Sequence, residues 1–409
     1  MNNKIKLAVA GAVLASASVA NAGITWDAGE WTVDMNGNVN AFATFADNKD
    51  SSGAIGGGLA NSAGANDSEE VAIQTGLLPS WLGFTASTRQ NDIDTSVTIS
   101  FQPGAGNTRA LGGGNSTNAA TENRQAFLTF GDKSWGSVKV GKDLGIFGST
   151  AILNDMTLLG VGANGAGTNG GGTTTTLGGI GTGYLYADWI GQIAYTTPNM
   201  NGLSLTLGVM QPWNADNSVG STDEFGFQGQ GSFSWTGDFA GKVWAGFFTQ
   251  EVTNINSNAV VYAAGGDVTN TASERATAFE AGVSTSIYNI NLVAYAYSGE
   301  GVGTTALLSQ GFDTTGSARD SDGGYVQGTY VIPTGTKLGV SYGISKLDDN
   351  AVDAGSTLVE ENKRLTIGAY HPLTKHLNLV AEFSNVEAES HNGLTNEEDK
   401  ISLGAILFF

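Results

Sequence analysis

The sequence predicts an all-β fold, a transmembrane antiparallel up-and-down β-barrel of 16 strands. Side-chain polarity alternates with period two through most of the chain, as in strands with two unlike faces. The connections between alternating segments are short and long by turns. The composition is also unusual: 14% of residues are charged, with 60 Gly and 6 Pro, against about 25% charged in ordinary soluble domains. Low charge suits a wall with one face in lipid and the other in water.

The first element is not part of that wall. Lys4 and Lys6, the apolar stretch LAVAGAVLASASVA and ANA at 20–22 form a secretory signal pattern. The apolar run is shorter than the ~20 residues of a spanning helix. A removed signal over 1–22 and a single barrel domain over 23–409 are expected.

The strands follow. WTVDMNGNVNAFATF (31–45) sets Trp31, Val33, Met35, Val39, Ala41, Ala43 and Phe45 on one face and Thr32, Asp34, Asn36, Asn38 and Asn40 on the other. LSLTLGV (203–209), FGFQGQGSFSW (225–235), KLGVSYGIS (337–345) and HLNLVAEFS (376–384) alternate likewise. Short turn-like links such as NDID (91–94), TPNMNG (197–202) and PTGT (333–336) alternate with long polar, Gly-rich ones. The long ones include 46–79, 144–188, 251–274, 299–321, 347–361 and 387–398. Short turns at one rim and long loops at the other are the rhythm of a membrane barrel. Closure also pairs every backbone donor and acceptor inside lipid.

Inside and outside follow from the alternation. The apolar face meets lipid, so the polar face lines the interior, with Asp34, Arg124, Lys139, Glu280, Lys337, Arg364 and Glu382 among its charges. A barrel of this strand number encloses an aqueous channel rather than a core.

Several functions are excluded. There is no Cys, and the His residues are His371, His376 and His391, so thiol chemistry and a His-rich metal centre are out. No Ser/His/Asp spacing suggests a triad, and an enzyme is not expected. GVGANG (160–165) fits a dinucleotide fingerprint but lies in a Gly/Thr tract with no helical periodicity after it. Without Lys4 and Lys6 the chain carries 16 basic and 38 acidic residues, a charge of −22. Such a chain repels nucleic acid. DSDGG (320–324) and LDDNAVDAG (347–355) have oxygen ligands suited to Ca2+ but read first as solvated acidic loops.

The C-terminus KISLGAILFF turns Ile401, Leu403, Ala405, Leu407 and Phe409 outward and ends on Phe. This resembles the terminal strand of Gram-negative outer-membrane proteins, and Phe409 is then the signal for the barrel-insertion machinery. RQAFLTFGDKSWGSVKVGKDLG (124–145) and IAYTTPNMNGLSLTLG (193–208) are similar to the hairpins flanking the third loop of general, trimeric bacterial porins. The resemblance implies a loop over about 144–188 folded into the barrel, narrowing the pore between acidic loop groups and a basic wall. The loop candidates are Asp143, Asn154, Asp155 and Asp188. The wall candidates are Arg124, Lys139, Lys142, Asp34, Glu280 and Glu382. Asp188 stands where the family commonly has a second wall Arg. The apolar Ile146, Phe147, Ile152, Leu153, Met156, Leu158 and Leu159 then anchor the loop on the inner wall. Helical phasing from Ile152 to Leu159 is imperfect, so the loop is not expected to be helical throughout.

The resemblance also implies passive diffusion of small hydrophilic solutes, a homotrimer in the outer membrane, and no cofactor. The charge of −22 favours a weak cation preference. Acidic residues at the loop tips, among them Asp47, Asp50, Asp67, Glu69, Glu70, Glu387, Glu389, Glu397 and Glu398, are candidates for divalent cations bridging to lipopolysaccharide. Two alternatives remain: a substrate-specific porin with a solute-binding constriction, and a secreted β-rich adhesin, which should show a fixed repeat that is not found.

Overall fold

Segment by segment, the alternating stretches become strands in the computed structural model, which describes residues 23–49, 52–61, 69–106, 121–164, 175–216, 223–256, 271–353 and 355–409. The strands are β1 (Ile24–Ala28), β2 (Trp31–Lys49), β3 (Glu69–Gln74), β4 (Trp81–Gln90), β5 (Ile93–Pro103), β6 (Thr121–Asp132), β7 (Gly136–Leu144), β8 (Trp189–Thr196) and β9 (Leu203–Met210). Then come β10 (Gly226–Trp235), β11 (Gly241–Asn256), β12 (Thr271–Ile287), β13 (Ile290–Glu300), β14 (Asp320–Val331), β15 (Lys337–Leu347), β16 (Val359–Pro372), β17 (Leu377–Ser390) and β18 (Thr395–Phe408). All pairings between them are antiparallel, and β18 pairs back onto β2, with Glu397 opposite Lys49 and Phe408 opposite Asn38, which closes the ring.

Eighteen segments fill sixteen ladder positions, the expected 16-stranded barrel. β3 and β4 pair with successive parts of β2, so they are one strand interrupted at 75–80. β1 pairs with the start of β2 and continues the line of β18. Gly37 and Phe409 exchange backbone hydrogen bonds of 2.9 and 3.0 Å at that join.

The rims differ as expected. At the short-turn end, the β4–β5 link is Asn91–Asp92, both with positive φ (49° and 63°), the backbone of a tight type I′ hairpin. At the other end the strands run further than the sequence suggests. The expected loop at 387–398 shrinks to 391–394, because β17 reaches Ser390 and β18 begins at Thr395. Val386, Ala388 and Ser390 stay buried inward while Glu387 and Glu389 alternate outward. Charge on the outward face above the lipid reads as loop in the sequence alone. The signal over 1–22 lies outside the described residues, as do Asp50 and Asp67.

The outer face is apolar. Phe45, Val71, Ile73, Leu207, Phe279, Val326, Ile367 and Leu403 are all exposed on it. The interior holds buried polar groups, as expected, but also one large apolar cluster. It joins loop residues Phe147, Ile152, Met156, Leu158 and Leu159 to the wall aromatics Trp244, Phe248, Tyr295, Tyr297, Tyr325 and Tyr370. The described parts of the loop, 145–164 and 175–188, are therefore packed inside the barrel, with about 1.5–3 kcal/mol of burial for each large side chain.

Candidate functional site

The loop begins where β7 ends. Its amides at Ile146 and Phe147 both donate to Gln228 Oε1 on β10, each at 2.8 Å. Gly148, with φ of 77°, starts a short helix, α1 (Ser149–Asn154). Asp155 is extended and interrupts it, and a 3-10 turn (Met156–Leu159) follows. This break matches the imperfect helical phasing. Asp155 caps the second turn by accepting the Thr157 amide at 2.9 Å.

Two wall carboxylates hold the loop. Glu280 on β12 accepts the Gly148 amide (2.9 Å), the Tyr295 hydroxyl (2.9 Å) and the Gln230 amide group (3.0 Å). Glu382 on β17 accepts the Val161 and Gly162 amides (2.7 and 3.0 Å) and the Tyr370 hydroxyl (2.6 Å). Hydrogen bonds to a carboxylate are about twice as strong as neutral ones, so each cluster offsets part of the cost of burying its carboxylate. A Cβ at Gly160 would overlap the Glu382 carboxylate, so the backbone reaches the wall only through glycine.

Between these clusters lie further ties. Gln327 on β14 accepts the Met156 amide (2.6 Å) and donates to the Asn154 carbonyl (3.0 Å). Tyr325 donates to the Ala151 carbonyl at 2.8 Å. Gly183 donates to Ser345 on β15 at 2.9 Å. The interrupted strand at 75–80 joins in, with the Leu77 amide on the Gly160 carbonyl at 2.9 Å. The loop thus follows the wall from β10 round to β3. The inward face of β4–β9 instead carries hydroxyl pairs, with Ser96 and Thr98 buried and their partners half-buried: Thr85–Thr98 (3.0 Å), Ser96–Thr129 (2.6 Å) and the half-buried Thr196–Thr206 (3.0 Å).

The loop candidates fall in different places. Asp155 is fully buried, which corrects its expected place on the water path. It accepts the Tyr184 hydroxyl at 2.8 Å, with the Arg364 guanidinium 3.8 Å away. Burial and the Asp155 charge push the Tyr184 phenol well above its ordinary range, against the pull of Arg364. Asn154 is half-buried and donates to the Thr150 carbonyl at 2.8 Å. Asp143 belongs to the wall strand β7 rather than the loop; it is buried, ion-paired with Lys139 and bonded to Gln125 at 3.0 Å. Asp188 turns the chain into β8 at φ of 48° and accepts its neighbour's amide at 2.7 Å. Burial raises its carboxyl above the usual range, despite that bond and the nearby Arg124 and Lys142.

The wall candidates divide as well. Asp34 and Lys139 face inward, level with Thr85 and Thr129. Arg124 lies at a register shift, buried, paired with Glu122 at 2.7 Å and 5.9 Å from the Trp189 ring centroid. Lys142 does not join the inner wall. It stands opposite Ala126 and Gly191, on the outward face of Leu128, Val140 and Ile193, because residues three apart on a strand point opposite ways. The inward tyrosines Tyr295, Tyr325 and Tyr370 carry much of the docking and were not anticipated. Among the described residues, no three His, Cys, Asp or Glu side chains form a metal site.

The Gram-negative porin family matches residues 8–391. Among solved structures, the outer membrane channel DcaP of Acinetobacter baumannii is similar at a TM-score of 0.65 and 16% identity, covering 95% of this chain and 100% of its own. An anion-selective porin from Comamonas acidovorans follows at 0.60 and 12%, with 93% and 100% covered. Salmonella typhi OmpF, in complex with daunomycin, is similar at 0.60 and 16%, with 94% and 100% covered. No curated protein matches by sequence. With the family matched along almost the whole chain, and a closed barrel carrying an inward loop, the protein belongs to the Gram-negative porins.

Proposed function

We propose that the chain is a passive diffusion porin whose constriction is formed by loop 145–188 docked on Glu280 and Glu382. Membership of the family makes it an outer-membrane channel. The observation that supports the finer reading is the one-sided docking of the loop, which leaves the wall of β4–β9 lined with hydroxyl pairs instead of loop contacts. Small hydrophilic solutes would pass down their gradients, with no turnover chemistry. Planar-bilayer conductance tests this. Ohmic current linear in salt supports general diffusion; saturable, solute-blocked current favours the substrate-specific alternative.

The acidity behind the cation preference expected from net charge is concentrated at the outer rim, where Asp47 stands opposite both Asp399 and Glu69 and Glu387 opposite Glu397, all outward. Like charges directly opposite repel, and divalent cations bridging to lipopolysaccharide would relieve them. Unchanged thermal stability under chelator would count against that bridge. A homotrimer is proposed from the family resemblance, to be tested by migration without heating. Export by a cleaved signal over 1–22 and insertion through Phe409 are proposed likewise, to be tested by N-terminal sequencing and by removal of Phe409.

A further inference from the structure

Charges inside the barrel do not follow the net charge of the chain. Lys242 is the second residue of β11 and faces inward beside Ser284, in step with buried Trp244. Lys337 opens β15 and faces inward opposite Tyr370, its ammonium 4.7 Å from that ring centroid. Both sit just above short turns, on the short-turn side of the docked loop, and both are half-buried.

The nearest inner-wall acids are already engaged by other groups. Glu280 and Glu382 are closed in by tyrosine hydroxyls and loop amides. Asp155 is sealed against Tyr184 and Arg364. Asp143 is taken by Lys139, and Asp94 by Arg89 at 2.7 Å. Among the described residues, neither Lys242 nor Lys337 has a carboxylate within 4.0 Å. Asp34 is the remaining half-buried inward acid at this end. Glu280 acts on Lys242, and Glu382 and Asp155 on Lys337, only through space; low-dielectric walls focus the charge that remains into the water between them.

We infer that Lys242 and Lys337 make the passage below the loop an anion-attracting subsite, through which small carboxylate- and phosphate-bearing solutes pass in preference to cations. The inference rests on the channel reading above and names its solute class. Inside the barrel, where the walls concentrate the field, the lysines outweigh the acidic outer rim.

The test is reversal potential in a planar bilayer under a KCl gradient. Wild type is expected to favour chloride. The K242Q/K337Q double variant should shift the permeability ratio toward potassium by about threefold to tenfold, with conductance retained. K242R/K337R, which keeps both charges, should hold the wild-type ratio and controls for folding. A wild type that prefers potassium, or a ratio unmoved by the double Gln variant, overturns the inference while leaving the channel intact. A folded wild type without any conductance would instead sink the channel reading.

Discussion

Glu280 receives the backbone N–H of Gly148 at 2.9 Å, so a carboxylate on β12 holds the first turn of a helix that belongs to neither of its neighbouring strands. The same carboxylate takes Tyr295 and Gln230. Replacing it by Ala leaves the buried Gly148 and Tyr295 donors and the half-buried Gln230 amide without this acceptor, at about 1–3 kcal/mol for each buried group. E280A should lower the heat-modification midpoint and add flicker to single-channel records. E280Q, which keeps an acceptor oxygen, should lie between. Quiet, wild-type records from E280A would show that the loop is held elsewhere.

G160A probes the other anchor. The added methyl overlaps Glu382, so the loop must lift from β17 or the carboxylate must turn away from Tyr370 and the Val161 and Gly162 amides. Conductance should change while the strand signal in circular dichroism stays. G160A with wild-type conductance would mean that the contact yields without moving the loop.

Removing 149–160 should enlarge the conductance and leave the barrel folded, since no strand lies in that range. It also strips Ile152, Met156, Leu158 and Leu159 from the apolar cluster and uncovers Tyr325. Thermal stability should therefore fall as conductance rises. An unchanged conductance would place the constriction elsewhere.

Arg319 clasps two long loops, donating to both Asp353 oxygens at 2.7 and 2.9 Å and to the Gln310 and Phe312 carbonyls. The hydrogen bond from Arg319, opposed by partial burial, holds the Asp353 carboxyl below its usual range. A depressed carboxylate contributes stability above its unfolded value, about pH 4, and loses it as pH falls through the folded value. Limited proteolysis of loops 301–319 and 348–358 should therefore be slow at neutral pH and rise only in stronger acid. D353N should be cut readily at both pH values; protection equal to wild type at pH 7 would deny the clasp a role.

Much of the barrel is legible in the sequence because lipid on one side and water on the other impose a period-two code. The code is silent where both faces are apolar. In VAYAYSG (293–299), Tyr295 and Tyr297 alternate with Ala294 and Ala296, and nothing local says that the tyrosines point inward; the loop that covers them is more than a hundred residues away. Asp155 was misplaced for a related reason, since its partner Arg364 lies over two hundred positions on. Lys142 is different. Its spacing from Lys139 already assigned it to the opposite face, and strand parity alone separates the two.

The join between β1 and β18 has a kinetic consequence. β2 meets β18 across a sequence separation of more than 340 residues, and β1 completes the same ladder position from the other end of the chain. Contacts of such high order close late, after the entropy of the longest possible loop has been spent. Until then the sheet has two unpaired edges, each a template for a foreign strand. The hydrogen bonds between Gly37 and Phe409 therefore mark the seam at which an assembling sheet stops being able to aggregate.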